Sequence, residues 1–166
     1  MAEAPSLRLR PWAEGDAEAL AGAWAVADIA AQATVPGAGS VADAARWVAG
    51  APVREATGVA LDRVVSPVDG DEVWGEVGLA RLVLTAGGRR REEWEVGWWV
   101  RPEHRGRGVA TAAARLLLAE TGVGRVVARI APDLVASQHV ARALGLRPVT
   151  ATLWVTADDH LVPGTS

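Results

Sequence analysis

The chain has 166 residues, enough for one domain with a real core and too few for two ordinary ones. Its 17 basic residues are all Arg and stand against 20 Asp plus Glu, and the net charge of -3 offers no general attraction to nucleic acid or anionic membrane. With no cysteine, disulfides, cysteine nucleophiles and thiolate metal sites are excluded together.

The start, MAEAPSLRLR, lacks an apolar run of signal-peptide length, and no segment approaches the roughly 18 apolar residues of a membrane span. A cytosolic protein is expected. Lys, Asn, Phe and Tyr are absent while there are 8 Trp, a pattern that reads as GC-rich coding bias with Trp filling core sites. One chemical consequence follows: no phenol is present to donate a proton.

LRLRPW, from Leu7 to Trp12, alternates apolar and charged residues as a half-exposed first strand does. Asp16 is placed to cap a helix with Leu20, Trp24 and Ala27 on one face, ending at the Pro36 to Gly39 stretch. Ser40 followed by Asp43 forms a capping-box pattern, and the helix it opens carries Val41, Ala45 and Val48 before stopping at Gly50. Three β-rich runs come next, GVALDRVVSP, EVWGEVGLARLVLT and EEWEVGWWV, separated by PVDGD and AGGRRR turns, and predict an antiparallel meander. A long helix is expected from Gly108 to Thr121, ended by Gly122 and Gly124, then a strand GRVVARIA, then a shorter helix opened by Pro132 and Asp133 and stopped by Gly145. RPVTATLWVTADDHLV supplies one clear strand and a weaker second. Residues 1–166 are read as a single domain without repeat or linker.

Glu95 to Glu120 carries the most information: EVGWWV enters the turn RPEHRGRG, which opens straight into the helix VATAAARLLLAE. Arg105, Gly106, Arg107, Gly108, Val109 and Ala110 fall where the first backbone N–H groups of a helix lack internal partners, so they can point at phosphate oxygens. The helix dipole adds attraction, and two Gly residues allow close approach of a bulky ligand. A nucleotide-derived cofactor suits such a turn.

In this order LRLRPWAEGDAEAL, WGEVGL, EVGWWV, RGRGVA and PDLVASQHVARALGLRPV resemble the GNAT superfamily of N-acetyltransferases, and within it the RimJ/RimL-like branch. The resemblance implies an α/β fold of the α+β type: a mixed, mostly antiparallel sheet of about six or seven strands flanked by about four helices. It implies acetyl-CoA as cosubstrate, a primary amine as acceptor (a protein N-terminal α-amine or a small molecule), and no metal. It also implies that the fourth and fifth strands splay to admit the pantetheine arm, with Trp99, Val100 and Arg101 offering backbone contacts and the 105–110 turn holding the pyrophosphate. Arg105 and Arg107 would add charge-assisted bonds.

Acetyl transfer needs a neutral amine and a protonated leaving thiolate. Glu95 on the fourth strand is the first candidate for general base, through water; the alternative is a strand carboxylate paired with an Arg. Glu76 is the second candidate, and an ion pair across the sheet is its alternative. Ser137, matching the branch's serine near the thioester sulfur, replaces the missing Tyr; its alternative is a helix-cap hydroxyl. Leu134 and Val149 depart from the branch, which commonly has Asn and Glu there, and a catalytically silent acyl-CoA-binding sensor is therefore the rival reading. Nucleic-acid binding through the Arg clusters conflicts with the acidic composition.

His104, His139 and His160 show no metal-ligand spacing, and His104 is expected to be solvent-exposed. Arg89 to Arg91 reads as a charged hairpin tip. Of Trp98 and Trp99, one should enter the core and the other line the cleft. The short final strands make a homodimer the expected assembly.

Overall fold

The structure, a computed structural model, describes residues 5–157. Seven strands form one sheet in the order β1-β2-β3-β4-β5-β7-β6. They are β1 (Leu7–Arg10), β2 (Ala60–Pro67), β3 (Gly75–Ala86), β4 (Arg89–Val100), β5 (Val127–Arg129), β6 (Leu146–Pro148) and β7 (Leu153–Thr156). Five helices flank it: α1 (Ala17–Trp24), α2 (Ala27–Gln32), α3 (Val41–Ala56), α4 (Val109–Thr121) and α5 (Val135–Ala143). All neighbouring strands are antiparallel except β4 and β5. The architecture is the mixed, mostly antiparallel sheet expected, with one helix more than anticipated.

Period-two alternation divides the sheet between two cores. Val64, Val73 and Trp99 face α1, α2 and α3, where Leu20, Trp24, Ile29, Ala44 and Val48 close the layer. Val65, Val77, Leu79, Val96 and Val100 face the other way onto Val109, Ala113 and Leu117 of α4 and Trp154 of β7. Leu20 and Val64 are fully enclosed, and burial of each such side chain contributes about 1.5–3 kcal/mol.

The β2–β3–β4 meander is in register as the turn signals predict. Asp62 stands opposite Gly78 and Gly78 opposite Gly97; Val64 stands opposite Glu76 and Glu76 opposite Trp99. Because directly opposed residues project to the same face, Glu76 and Trp99 share the α1–α3 side. The paired glycines leave a gap in that face: a Cβ on Gly97 would meet nothing within 4 Å. The turn at Gly87 and Gly88 places Arg89 to Arg91 at the hairpin tip, as expected.

Several helix boundaries differ from expectation. The first helix ends at Trp24, and α2 begins after Val26, whose φ -80 and ψ 119 are extended. Ala27 therefore belongs to a separate helix. Asp16 makes no side-chain cap bond to α1; its carboxylate turns back to accept from the Ala13 amide at 2.8 Å and from Arg10 at 2.7 and 2.9 Å. The Ser40–Asp43 capping box is present, with Ser40 Oγ accepting from the Asp43 amide at 3.1 Å and Asp43 Oδ2 from the Ser40 amide at 3.0 Å. Its helix does not stop at Gly50 but runs through Pro52 to Ala56. Packing of Ala44 and Val48, with Trp47 and Ala51 at the margin, outweighs the two breakers. Of the apolar residues noted on this helix, Val48 is buried while Val41 and Ala45 are exposed. His160 lies outside the described residues.

Candidate active site

Between β4 and β5 the parallel pairing is a single registered pair, Glu95 with Val127. Beyond it β4 continues to Val100, while Ala128 and Arg129 of β5 have registered partners on β7 alone. A parallel ladder that stops after one pair leaves the two strands free to diverge, and a cleft of about 510 Å³ occupies the divergence. Trp98, Trp99 and Val100 form one wall and Leu134, Ala136 and Ser137 the other.

The end of the cleft is the Arg/Gly turn. After a 3-10 turn at Pro102–His104, Gly106 and Gly108 both take φ 73, the left-handed region that L side chains rarely enter. Gly108 is the N-cap of α4 and supplies no side chain to cap it. The first amides of α4 are thus left without helical partners, while Gly106, Gly108, Val109, Ala110 and Thr111 line the cleft. A diphosphate fits this arrangement: open backbone, unsatisfied donors and the positive end of a helix.

Arg105 lines the cleft and is already engaged by protein groups. The Arg105 guanidinium donates to the Val100 carbonyl at 2.8 Å and pairs with Asp28 of α2 at 2.7 and 3.1 Å. The Arg105 hydrogen bond holds the Asp28 carboxylate below its ordinary pKa, against the opposing effect of burial. Arg107 donates to the Glu103 carbonyl at 3.0 Å and is not among the residues lining the cleft. Arg101 is also outside the lining: its amide bonds the Trp74 carbonyl at 2.8 Å and its guanidinium pairs with Glu103 at 3.0 Å.

Ser137 lies on α5 and donates to Gln32 Oε1 across the cleft at 3.2 Å, rather than capping its own helix. Glu95 pairs with Arg129 of β5 at 2.9 Å, the alternative weighed from its strand position. Glu76 has no such ion pair. Its Oε2 accepts from the Trp12 indole at 3.0 Å, and burial, reinforced by the Asp62 charge, pushes its pKa up to about 8. The Trp99 indole N–H is close enough to favour the carboxylate but stays outside hydrogen-bond geometry.

Glu76 and Glu95 both line a second, smaller cavity of about 200 Å³ on the α1–α3 face. Trp98, Trp99 and Gln32 border both spaces. Trp99 packs into the α1–α3 core and Trp98 against the α4 core, so both reach the cleft from opposite faces of β4.

His104 is buried, not exposed: it stacks on Trp74 with centroids 4.9 Å apart and shares a hydrogen bond with Glu72 at 3.2 Å. Sequence reasoning missed the α2 contribution of Asp28, Ile29 and Gln32, because no local pattern links Asp28 to a partner 77 residues away. Among the described residues, no three His, Asp or Glu side chains group closely enough to hold a metal ion, and no helix is long and apolar enough to cross a membrane.

Comparison with known proteins agrees with this geometry. The acetyltransferase (GNAT) domain family matches residues 6–147. No protein of curated function matches the sequence. Among solved structures, RimJ of Mycobacterium smegmatis in complex with CoA-disulfide is similar with TM-score 0.71 at 20% identity, over 92% of this chain and 80% of that one. The microcin C7 self-immunity acetyltransferase MccE, in complex with acetyl-CoA and AMP, gives TM-score 0.71 at 15% identity over 92% and 93%. The ribosomal-protein-S5-alanine acetyltransferase of Vibrio fischeri gives 0.69 at 15% over 97% and 98%. The family match covers most of the sequence: the chain belongs to the GNAT acetyltransferase family, the acetyl-CoA-dependent acyltransferases.

Proposed function

We propose that the chain, as a single domain of the RimJ/RimL-like kind, transfers an acetyl group from acetyl-CoA to a primary amine. The observation that carries this reading is the meeting of the uncapped α4 amides with the divergence of β4 from β5, which gives one continuous path for a diphosphate and an extended arm. Acetyl-CoA supplies the acetyl thioester.

The main-chain amides from Gly106 to Ala110 bind the diphosphate, and the walls at Trp99, Val100 and Leu134 exclude water from the arm. Ser137, on the wall opposite Trp99, orients the sulfur and donates a hydrogen bond to the departing thiolate, which takes its proton from solvent. The amine nitrogen forms the new C–N bond as the C–S bond breaks. Glu95 accepts the amine proton through water, with Arg129 holding its carboxylate in place. An α-amine of pKa about 7.7–8.0 needs less help from such a base than a Lys side chain near 10.4.

The silent-sensor reading draws its support from Leu134, which brings no polar side chain to the start of α5. Calorimetry with acetyl-CoA followed by an amine screen for thiol release separates the two. Turnover with any amine supports the enzyme; binding without turnover across a broad panel supports the sensor.

A further inference from the structure

The smaller cavity plays no part in holding the diphosphate or the arm, and its chemistry is distinct. Its floor is the gap left by Gly78 and Gly97. Trp24 and Trp47 form its helical wall, packed edge to face with centroids 6.4 Å apart. Three carboxylates, Asp62, Glu76 and Glu95, reach it, and no Arg or His lines it.

Two of those carboxylates are already matched. Asp62 pairs with Arg54 at 2.8 Å and Glu95 with Arg129 at 2.9 Å. Glu76 is hydrogen-bonded by the neutral Trp12 indole, and the Arg54 charge, committed to Asp62, is the weakest influence on it. Its carboxyl is pushed up to about 8 by burial and by the neighbouring Asp62. A carboxylate taken out of water without a cation beside it is an electrostatic deficit, and an arriving ammonium would make it good. Indole faces attract the same charge, and with the Arg54 guanidinium already 4.0 Å over the Trp47 ring the free face is that of Trp24.

From this geometry we infer that the smaller cavity is the acceptor pocket and that it selects a compact primary amine free of anionic groups, with the ammonium drawn towards Glu76 and the hydrocarbon body against Trp24 and Trp47. The inference rests on the acetyl-transfer reading of the larger cleft and narrows the acceptor which that reading leaves open. Gln32, Trp98 and Trp99 border both spaces, so an amine held here stands next to the arm. At about 200 Å³ the space is below the range of roughly 300–1,000 Å³ usual for drug-sized ligands. A carboxylate or phosphate on the acceptor would enter a space whose lining offers no Arg or His to match it, and an anion taken out of water without a cationic partner binds poorly.

The test uses two probes, 2-phenylethylamine and phenylalanine, which share ring and amine and differ by one carboxylate. With the full chain and acetyl-CoA, thiol release should favour 2-phenylethylamine by at least about tenfold in kcat/KM. Tryptophan fluorescence titrated with 2-phenylethylamine reads the pocket without chemistry. Glu76→Gln should weaken that titration and narrow the discrimination, whereas Gly97→Leu, which fills the gap, should remove it while calorimetric binding of acetyl-CoA is unchanged. Equal use of the two probes, or a Gly97→Leu titration like the parent's, would overturn the inference. Failure of acetyl-CoA to bind would instead strike the reading of the larger cleft, and the fluorescence titration would still decide the smaller one.

Discussion

Trp12 donates its indole N–H to Glu76 at 3.0 Å, joining residues 64 positions apart beside the smaller cavity that Glu76 lines. The bond fixes a carboxyl that no cation hydrogen-bonds and that burial and the Asp62 charge disfavour in its ionised form. That combination gives Glu76 a titration unlike that of any ordinary surface carboxylate.

Glu76 should make the fold less stable as pH rises. Its pKa goes from the ordinary 4.5 to about 8 on folding, so between these values the native state holds a proton that the unfolded chain has lost. Stability from this group is complete below about 4.5 and declines up to about 8. Glu76→Gln should flatten that decline and raise stability at pH 8 by on the order of 2 kcal/mol, less than the full shift would give because the carboxyl is partly accessible. Urea unfolding at pH 5 and pH 8 measures it. An identical pH slope in parent and variant would rule the titration out.

Asp16 should show the opposite dependence. Burial opposes its charge, but the Arg10 hydrogen bonds and the Ala13 amide outweigh it and lower the pKa. Its contribution is present above about 3.8 and lost as pH falls through the folded pKa. Both side chains of the pair are only 11% exposed. Removing one partner by Asp16→Ala should therefore cost about 3 kcal/mol near neutral pH, read as a lower urea midpoint at unchanged slope.

Much of this fold is written locally. The Ser40–Asp43 box, the three strand runs and the glycines at both ends of α4 each use residues within a few positions, and all form where the sequence indicates. What sequence reasoning lacked was tertiary. Packing against β2 carries α3 past Gly50 and Pro52, and burial against Trp74 hides His104. The glycine turn that opens α4 is legible because its geometry depends on φ at Gly106 and Gly108. The partners of Arg105, Glu76 and Ser137 are not, because each comes from a distant segment.

The Arg105–Asp28 pair should act on affinity more than on stability. Both side chains are at least 40% exposed, so solvent screens the pair and Asp28→Asn should cost less than about 1 kcal/mol of stability. Removing the competing carboxylate frees the guanidinium to reach phosphate. Acetyl-CoA should bind the Asp28→Asn protein a few-fold more tightly by calorimetry; weaker binding would mean that Asp28 instead supports the cleft.

Ser137→Ala should lower kcat by on the order of tenfold with little change in the KM for acetyl-CoA, since the main-chain amides supply most of the binding. Gln32→Ala, which releases the hydroxyl from its bond across the cleft, should leave kcat near the parent value. A fall in KM-dependent binding without a change in kcat would assign Ser137 to structure alone.

The seat of the diphosphate is tested most directly by a crystal structure of the chain with acetyl-CoA, paired with calorimetry on Gly108→Ala. Diphosphate oxygens should lie about 3 Å from the amides between Gly106 and Ala110, with the arm between β4 and β5. An alanine relaxes out of the left-handed region in the free protein and must return to it to bind, at roughly 1–2 kcal/mol, so the variant should bind about tenfold more weakly. A diphosphate bound elsewhere, together with parent-like affinity in Gly108→Ala, would contradict the account.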